Sequence, residues 1–240
     1  MHNTPSELLA ALIQSGKHFR IKLLGDSITH GCGGTGFKQN GAHIVGEFSR
    51  NPDGYCWANK FKAHMEQHYD CEVINNACTG TKIEFVIKHF DTLVDREDDL
   101  VICTIGTNNR HRYFKDFPDG KPAREDIGAD FYQKVLHLYE MFLAAGKAVI
   151  FVANIPATEA NEHASKEYWR ILHMDDINAI YQHAQAKRGF PFISMYDLYT
   201  AYCKDTGTAL EELLPDGLHP GDRGYDVMFD LLTKALGLQS

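Results

Sequence analysis

The chemistry-bearing residues of this 240-residue chain fall into four short segments. Ser27 ends Ile21-Lys22-Leu23-Leu24-Gly25-Asp26-Ser27, an apolar run of strand length that stops at a glycine. Such a run reads as a buried strand followed by a turn. In open α/β sheets, ligands bind beyond the carboxyl ends of the strands. Ser27 therefore stands where a nucleophile could meet a substrate. Gly25, Asp26 and Ser27 all favour turns as well, so the stretch read alone fits an ordinary turn equally well. A serine hydroxyl is a weak nucleophile. It needs a base, a group that orients the base, and donors for a developing oxyanion. Near the other end, Asp216-Gly217-Leu218-His219-Pro220 sets a carboxylate and an imidazole three residues apart, within reach of one site from one loop. Asn75-Asn76-Ala77-Cys78-Thr79-Gly80 and Gly106-Thr107-Asn108-Asn109 each follow an apolar, strand-like run. Taken singly, Asp216 and Asn108 read as turn or cap residues, and His219 is one of thirteen histidines.

In this order the four segments resemble the blocks of the GDSL/SGNH hydrolase superfamily: GDS, a glycine, GxN and DxxH. The resemblance spans residues 21 to 236. It implies a three-layer α/β/α sandwich with a five-stranded parallel sheet of flavodoxin-like order. It implies Ser27, Asp216 and His219 as catalytic residues. Ser27 would attack an acyl carbonyl, His219 would take its proton and return it to the leaving alcohol, and Asp216 would orient His219. The implied oxyanion donors are the backbone N–H groups of Ser27 and Gly80 and the side-chain amide of Asn108. These residue types suit the task. Glycine permits close backbone approach, and asparagine donates without a competing charge. Many relatives carry Asp where this chain has Asn109, and glycine where it has Ala77. The first departure should alter support rather than chemistry, and the second should narrow the loop. Cys78 reads as a packing residue.

Members of the superfamily hydrolyse sugar acetates, acyl thioesters, lysophospholipids and other esters. Polar loops and the lack of a lid-like apolar helix favour an O-acetyl ester of a carbohydrate. The alternatives are a short-chain or lipid ester or thioester, and a non-catalytic carbohydrate-binding protein on the same fold. Asp26, Asn109, Arg110 and Arg112 are the candidate substrate-binding residues, with Phe37, His43, Phe48 and Arg50 as further loop contacts. The arginines fit solvated charge as well as they fit a polar substrate.

The elements that must position these groups are legible from periodicity. Thr4-Pro5-Ser6-Glu7 is a helix start with a capping box, and Leu8, Leu9, Leu12 and Ile13 give the stripe of an N-terminal packing helix within residues 1–17. Strands are expected near 19–25, 71–74, 100–105, 148–153 and 192–195, and helices over 55–69, 82–95, 127–145, 175–188, 196–203 and 222–236. Residues 31–54 and 110–125 read as loops, and a loop as long as the second is usually functional. Alternating strands and helices predict a parallel sheet covered on both faces. No internal repeat or domain boundary interrupts residues 1–240, so a single domain is expected.

Composition excludes several other classes. The chain is 44% hydrophobic and 23% charged, as soluble globular proteins are. A formal net charge of −8 argues against nucleic-acid or anionic-membrane partners. The expected partner is a small-molecule or oligosaccharide ester. No apolar run approaches a membrane span and no signal peptide is evident. Six cysteines without CxxC or framework spacing read as reduced thiols of a cytoplasmic protein. Gly31-Cys32-Gly33-Gly34-Thr35-Gly36 matches GxGxxG, but five residues separate its start from the strand and no acid ends the next strand, so a dinucleotide is not expected. His64 and His68 share a helix face, yet Met65 stands where HExxH needs glutamate. No metal and no cofactor is expected.

Overall fold

Thr4 opens the first helix as its sequence predicts. Glu7 N donates to Thr4 Oγ1 at 3.2 Å and Thr4 N donates to Glu7 Oε2 at 2.7 Å. The structure is a computed structural model that describes residues 4–38, 54–163 and 166–238. In chain order its elements are α1 (Pro5–Gln14), β1 (Phe19–Gly25), α2 (Ser27–His30), α3 (Trp57–His68), β2 (Cys71–Asn75), α4 (Ile83–Lys88), α5 (Phe90–Leu93), β3 (Leu100–Thr104), β4 (His111–Tyr113), α6 (Arg124–Ala144), β5 (Ala148–Ala153), α7 (Glu159–His163), β6 (Tyr168–Arg170), α8 (Met174–Arg188), β7 (Phe192–Ser194), α9 (Met195–Thr206), α10 (Leu210–Leu213) and α11 (Asp222–Ala235).

Five strands form one parallel sheet in the order β2-β1-β3-β5-β7. This is the expected three-layer α/β/α arrangement. Side chains alternate across the sheet. Ile21, Leu23, Ile102, Ile150 and Val152 join one core with α3 and α11. Leu24, Val101, Cys103, Val149 and Phe151 join a second core with α6 and α8. At the amino end of the second face, buried Lys22 meets Asp95 at 2.7 Å rather than an apolar neighbour.

The chain leaves β1 to form β2 on one side and later β3 on the other. That reversal is the switch point at which doubly wound sheets bind ligands. The turns after β1, β2 and β3 carry Ser27, Gly80 and Asn108.

Three expectations are corrected. The helix expected over 82–95 is two short helices, α4 and α5, broken at His89, whose backbone leaves the helical region (φ −113°, ψ 23°). Residues 110–125 are not one irregular loop, because β4 pairs antiparallel with β6. The turn at Ser27 is a one-turn helix, α2, closed by Gly31 at φ 103°.

Candidate active site

Asp26 and Gly25 set the position of Ser27. Asp26 caps α2 by accepting from Ile28 N at 3.0 Å. A Cβ at Gly25 would overlap the hydroxyls of Thr29 and Thr104, which hydrogen-bond one another behind it. The second turn is pinned by three bonds to the end of β1 and to α2. Cys78 N donates to Gly25 O at 3.1 Å, Asn75 Nδ2 to Thr29 O at 3.0 Å, and Thr79 Oγ1 pairs with His30 Nδ1 at 2.9 Å. Gly80 follows at φ 78°, a conformation that costs other residues strain. Asn108 Nδ2 donates to Thr81 O at 3.1 Å, which holds its amide against the same turn and leaves its second N–H free to donate.

His219 Nε2 lies 2.8 Å from Ser27 Oγ, and His219 Nδ1 lies 2.6 Å from Asp216 Oδ2. The other Asp216 oxygen accepts from the backbone N–H groups of Leu218 and His219, at 2.9 and 2.7 Å. Burial works against the Asp216 carboxylate, but these bonds outweigh it and hold its pKa below the usual range. Burial likewise disfavours the His219 imidazolium. The Asp216 carboxylate bonded to Nδ1 outweighs that effect, and the pKa is lifted to about 9. A carboxylate–imidazole–hydroxyl chain of this geometry is what base activation of a serine requires.

The glycine-rich turn after α2 locks the two ends of the chain together. A Cβ on Gly33, at φ 94°, would strike Pro220 O and crowd His219 Cβ. Thr35 donates from its backbone and hydroxyl to the Asp222 carboxylate, at 2.7 and 2.8 Å. Tyr225 Oη lies 2.7 Å from Cys32 O and 3.1 Å from Ile28 O. The expectation of a mouth-shaping loop here becomes, over residues 31–38, a clamp on the histidine turn. Glycine density was the only signal of Gly33, and nothing in the sequence singled out Tyr225 or Asp222.

The four candidate substrate-binding residues are buried. Asp26 is fully buried and its Oδ2 accepts from Asn154 Nδ2 at 3.1 Å. Burial pushes its pKa up to about 6. Asn109 is fully buried, accepting from Ile83 N at 3.0 Å and donating to Glu84 at 2.8 Å. It thus supports the third block through α4. Arg110 is also fully buried and reaches Glu162 at 2.6 Å and Thr107 O at 3.0 Å. Arg112 donates to the carbonyls of Asn109 and His111 at 2.9 and 3.0 Å. The bonds recorded for all four run to protein groups of the turns and their neighbours. Sequence reasoning missed Asn154, which ties Asp26 to Thr107 Oγ1 (2.7 Å) from the end of β5. Phe37 packs edge-on against His30 at 5.0 Å. His43, Phe48 and Arg50 lie outside the described residues.

A pocket of about 340 Å³ opens beside Gly80 and Asn108, walled by Lys82, Glu84, His111 and Tyr113. Among the described residues, no group of three or more His, Cys, Asp or Glu side chains is placed to hold a metal, and no helix is long and apolar enough to cross a membrane. The six cysteines are free thiols, and Cys78 is buried, as its packing role requires.

The sheet order, with its turns gathered at the switch point, is the α/β fold of SGNH hydrolases. Residues 23–227 match the profile of the GDSL-like lipase/acylhydrolase family, and the chain belongs to that family. Solved structures share its fold. An acetylxylan esterase from Geobacillus stearothermophilus, solved as a catalytic mutant, is 15% identical over 92% of this chain and 95% of its own, with a TM-score of 0.65. An α/β hydrolase enzyme from the metagenome of Lake Arreo, Spain, is 18% identical over 92% of this chain and 97% of its own, with a TM-score of 0.66. A two-domain esterase active on acetylated mannans, co-crystallised with mannopentaose, is 17% identical with a TM-score of 0.65. That alignment covers 98% of this chain and 54% of the esterase. No curated protein matches the chain by sequence.

Proposed function

We propose that the protein is a serine carboxylic ester hydrolase acting on short-chain acyl esters, with the O-acetyl group of a carbohydrate as its substrate. The observation that carries this reading is the Asp216–His219–Ser27 hydrogen-bond chain, set beside Gly80 and Asn108 at the switch point. Ser27 Oγ attacks the acyl carbonyl as His219 Nε2 takes its proton. His219 then returns the proton to the leaving alcohol, giving an acyl-enzyme. Water, activated by the same imidazole, releases the acid. Ser27 N–H, Gly80 N–H and Asn108 Nδ2 donate to the oxyanion, and losing one such donor typically costs about 10²–10³ in rate. The family membership supports ester hydrolysis. The shared fold with esterases of acetylated xylan and mannan supports the carbohydrate acetate.

Acyl length tests the substrate. Six added methylenes in an apolar channel would favour octanoate over acetate by up to about 5 kcal/mol. The pocket beside Gly80 is instead mixed, with Lys82, Glu84, Asn108 and His111 interrupting Phe85 and Tyr113. The kcat/KM for 4-nitrophenyl esters should therefore peak at acetate or propionate and fall by octanoate. A maximum at octanoate would replace the acetate by a lipid ester or thioester. Unchanged turnover in folded Ser27→Ala would end the serine-hydrolase reading.

A further inference from the structure

The pocket beside Gly80 and Asn108 carries an unbalanced cation. Glu84 on its wall is neutralised: Oε1 accepts from Lys134 Nζ at 2.8 Å and Oε2 from Asn109 Nδ2 at 2.8 Å. Lys134 also reaches Asp130 at 2.5 Å, and Arg112 lies 3.7 Å from that same carboxylate. Two cations thus match two carboxylates. Lys82 remains. Among the described residues its Nζ meets the His111 carbonyl, at 3.4 Å, and the Tyr113 ring, at 5.5 Å from the centroid. No carboxylate lies within ion-pair distance of it among the described residues. Lys82 is half-buried, and burial lowers its ammonium pKa despite the more distant Glu84 and Asp116. An ammonium drawn partly out of water without a counter-ion is a cost unless a ligand supplies one. Beside it, buried His111 has no partner for Nδ1 among the described residues. Burial and the neighbouring Lys82 push its pKa down to about 3, so the ring stays neutral and adds no like charge.

We infer that this pocket recognises a carboxylate on the ester substrate, with Lys82 as the specificity-determining contact. The inference rests on the ester-hydrolase reading of the same site. A carboxylate would take a charge-assisted bond from Lys82, stronger for the partial exclusion of water. The carboxylate can sit on the acyl side, as in the hemiester of a dicarboxylic acid, or on the alcohol side, as in an acetylated uronic acid.

Two matched pairs of esters distinguish these sources. One is 4-nitrophenyl hydrogen succinate against its methyl-blocked diester. The other is O-acetylated glucuronic acid against its methyl ester. Wild type should prefer the free carboxylate in one pair by roughly ten- to a hundredfold in kcat/KM, the range of one hydrogen bond to a charged group. The pair showing this preference identifies the side. Lys82→Gln should collapse the ratio towards one, and Lys82→Glu should invert it. Each ratio is taken on one protein preparation, so partial misfolding of a variant cancels. Turnover with ratios near one in wild type, or a preference that survives Lys82→Gln, would overturn the inference alone. Absence of Ser27-dependent turnover of every ester would overturn the hydrolase reading and this inference with it.

Discussion

At the scale of single residues, the proton on His219 decides when Ser27 can act. A base must be neutral, and this imidazole is held protonated up to about pH 9. Activity should therefore climb with pH through neutrality, reach half its maximum near pH 9 and level off above it. Ser27→Ala and His219→Ala should each abolish most turnover, and the double variant should be no worse than either, because the pair acts as one unit. Asp26 acts on stability. Its carboxyl titrates near 6 when folded, against about 3.9 unfolded. Below both values it makes no difference; its ionisation then costs stability as pH rises from about 4 to about 6, by roughly 3 kcal/mol in full. From pH 4 to pH 7, urea titrations should show Asp26→Asn gaining on wild type by roughly 2–3 kcal/mol. That Ser27, His219 and Asp216 would meet was legible because chemistry restricts their types and spacing. The burial of Asp26, Asn109, Arg110 and Arg112 was not, because a polar or charged residue next to a motif gives no sign of it.

At the scale of elements, a buried strut links the third block to the histidine turn. Arg110 grips Glu162 of α7, whose other oxygen accepts from Met174 N at 2.9 Å. Thr158, at the start of that segment, donates from its backbone to Gly217 O at 2.9 Å, between Asp216 and His219. Arg110→Leu leaves Glu162 buried without its cation, and breaking such a pair typically costs about 3–5 kcal/mol. The pair Arg110→Leu with Glu162→Leu should recover much of that loss, since removing both partners spares an uncompensated charge. Chemical denaturation of the three variants measures it. Equal losses in the single and double variants would count against the strut. The sequence hid this arrangement because its parts lie 52 residues apart. The ribbon of β4 and β6 was hidden for the same reason. Three-residue strands of mixed polarity carry no alternation, and their pairing is fixed by partners far along the chain. The long helices α6 and α11 were plain, because an apolar stripe over several turns repeats its signal.

At the scale of the whole molecule, the order of strands and helices was readable because a parallel sheet buried on both faces demands continuous apolar runs. Ile21–Leu24, Leu100–Cys103 and Val149–Ala153 supply them and are buried throughout. What the runs could not disclose is which polar residues join the interior, such as Lys22. The proposed chemistry draws only on side chains and backbone N–H groups. The rings of His64 and His68 lie 4.6 Å apart and tilted by 34°, with His68 Nδ1 spent on the His64 carbonyl 2.8 Å away. Turnover should accordingly survive dialysis against EDTA. Loss of activity that zinc or another divalent ion restores would redirect attention to that helix face.

The hydrogen bond between Ser27 and His219 joins positions 192 residues apart. Contacts of such separation form only after intervening chain has been ordered. During synthesis the nucleophile leaves the ribosome early, and its base follows only when nearly all of the sheet's sequence has been made. A nascent chain therefore holds a serine without a partner, and hydrolytic competence arrives in one late step. Recovery of ester turnover after dilution from denaturant would time the closing of the whole architecture, where a helix signal would report only its local parts.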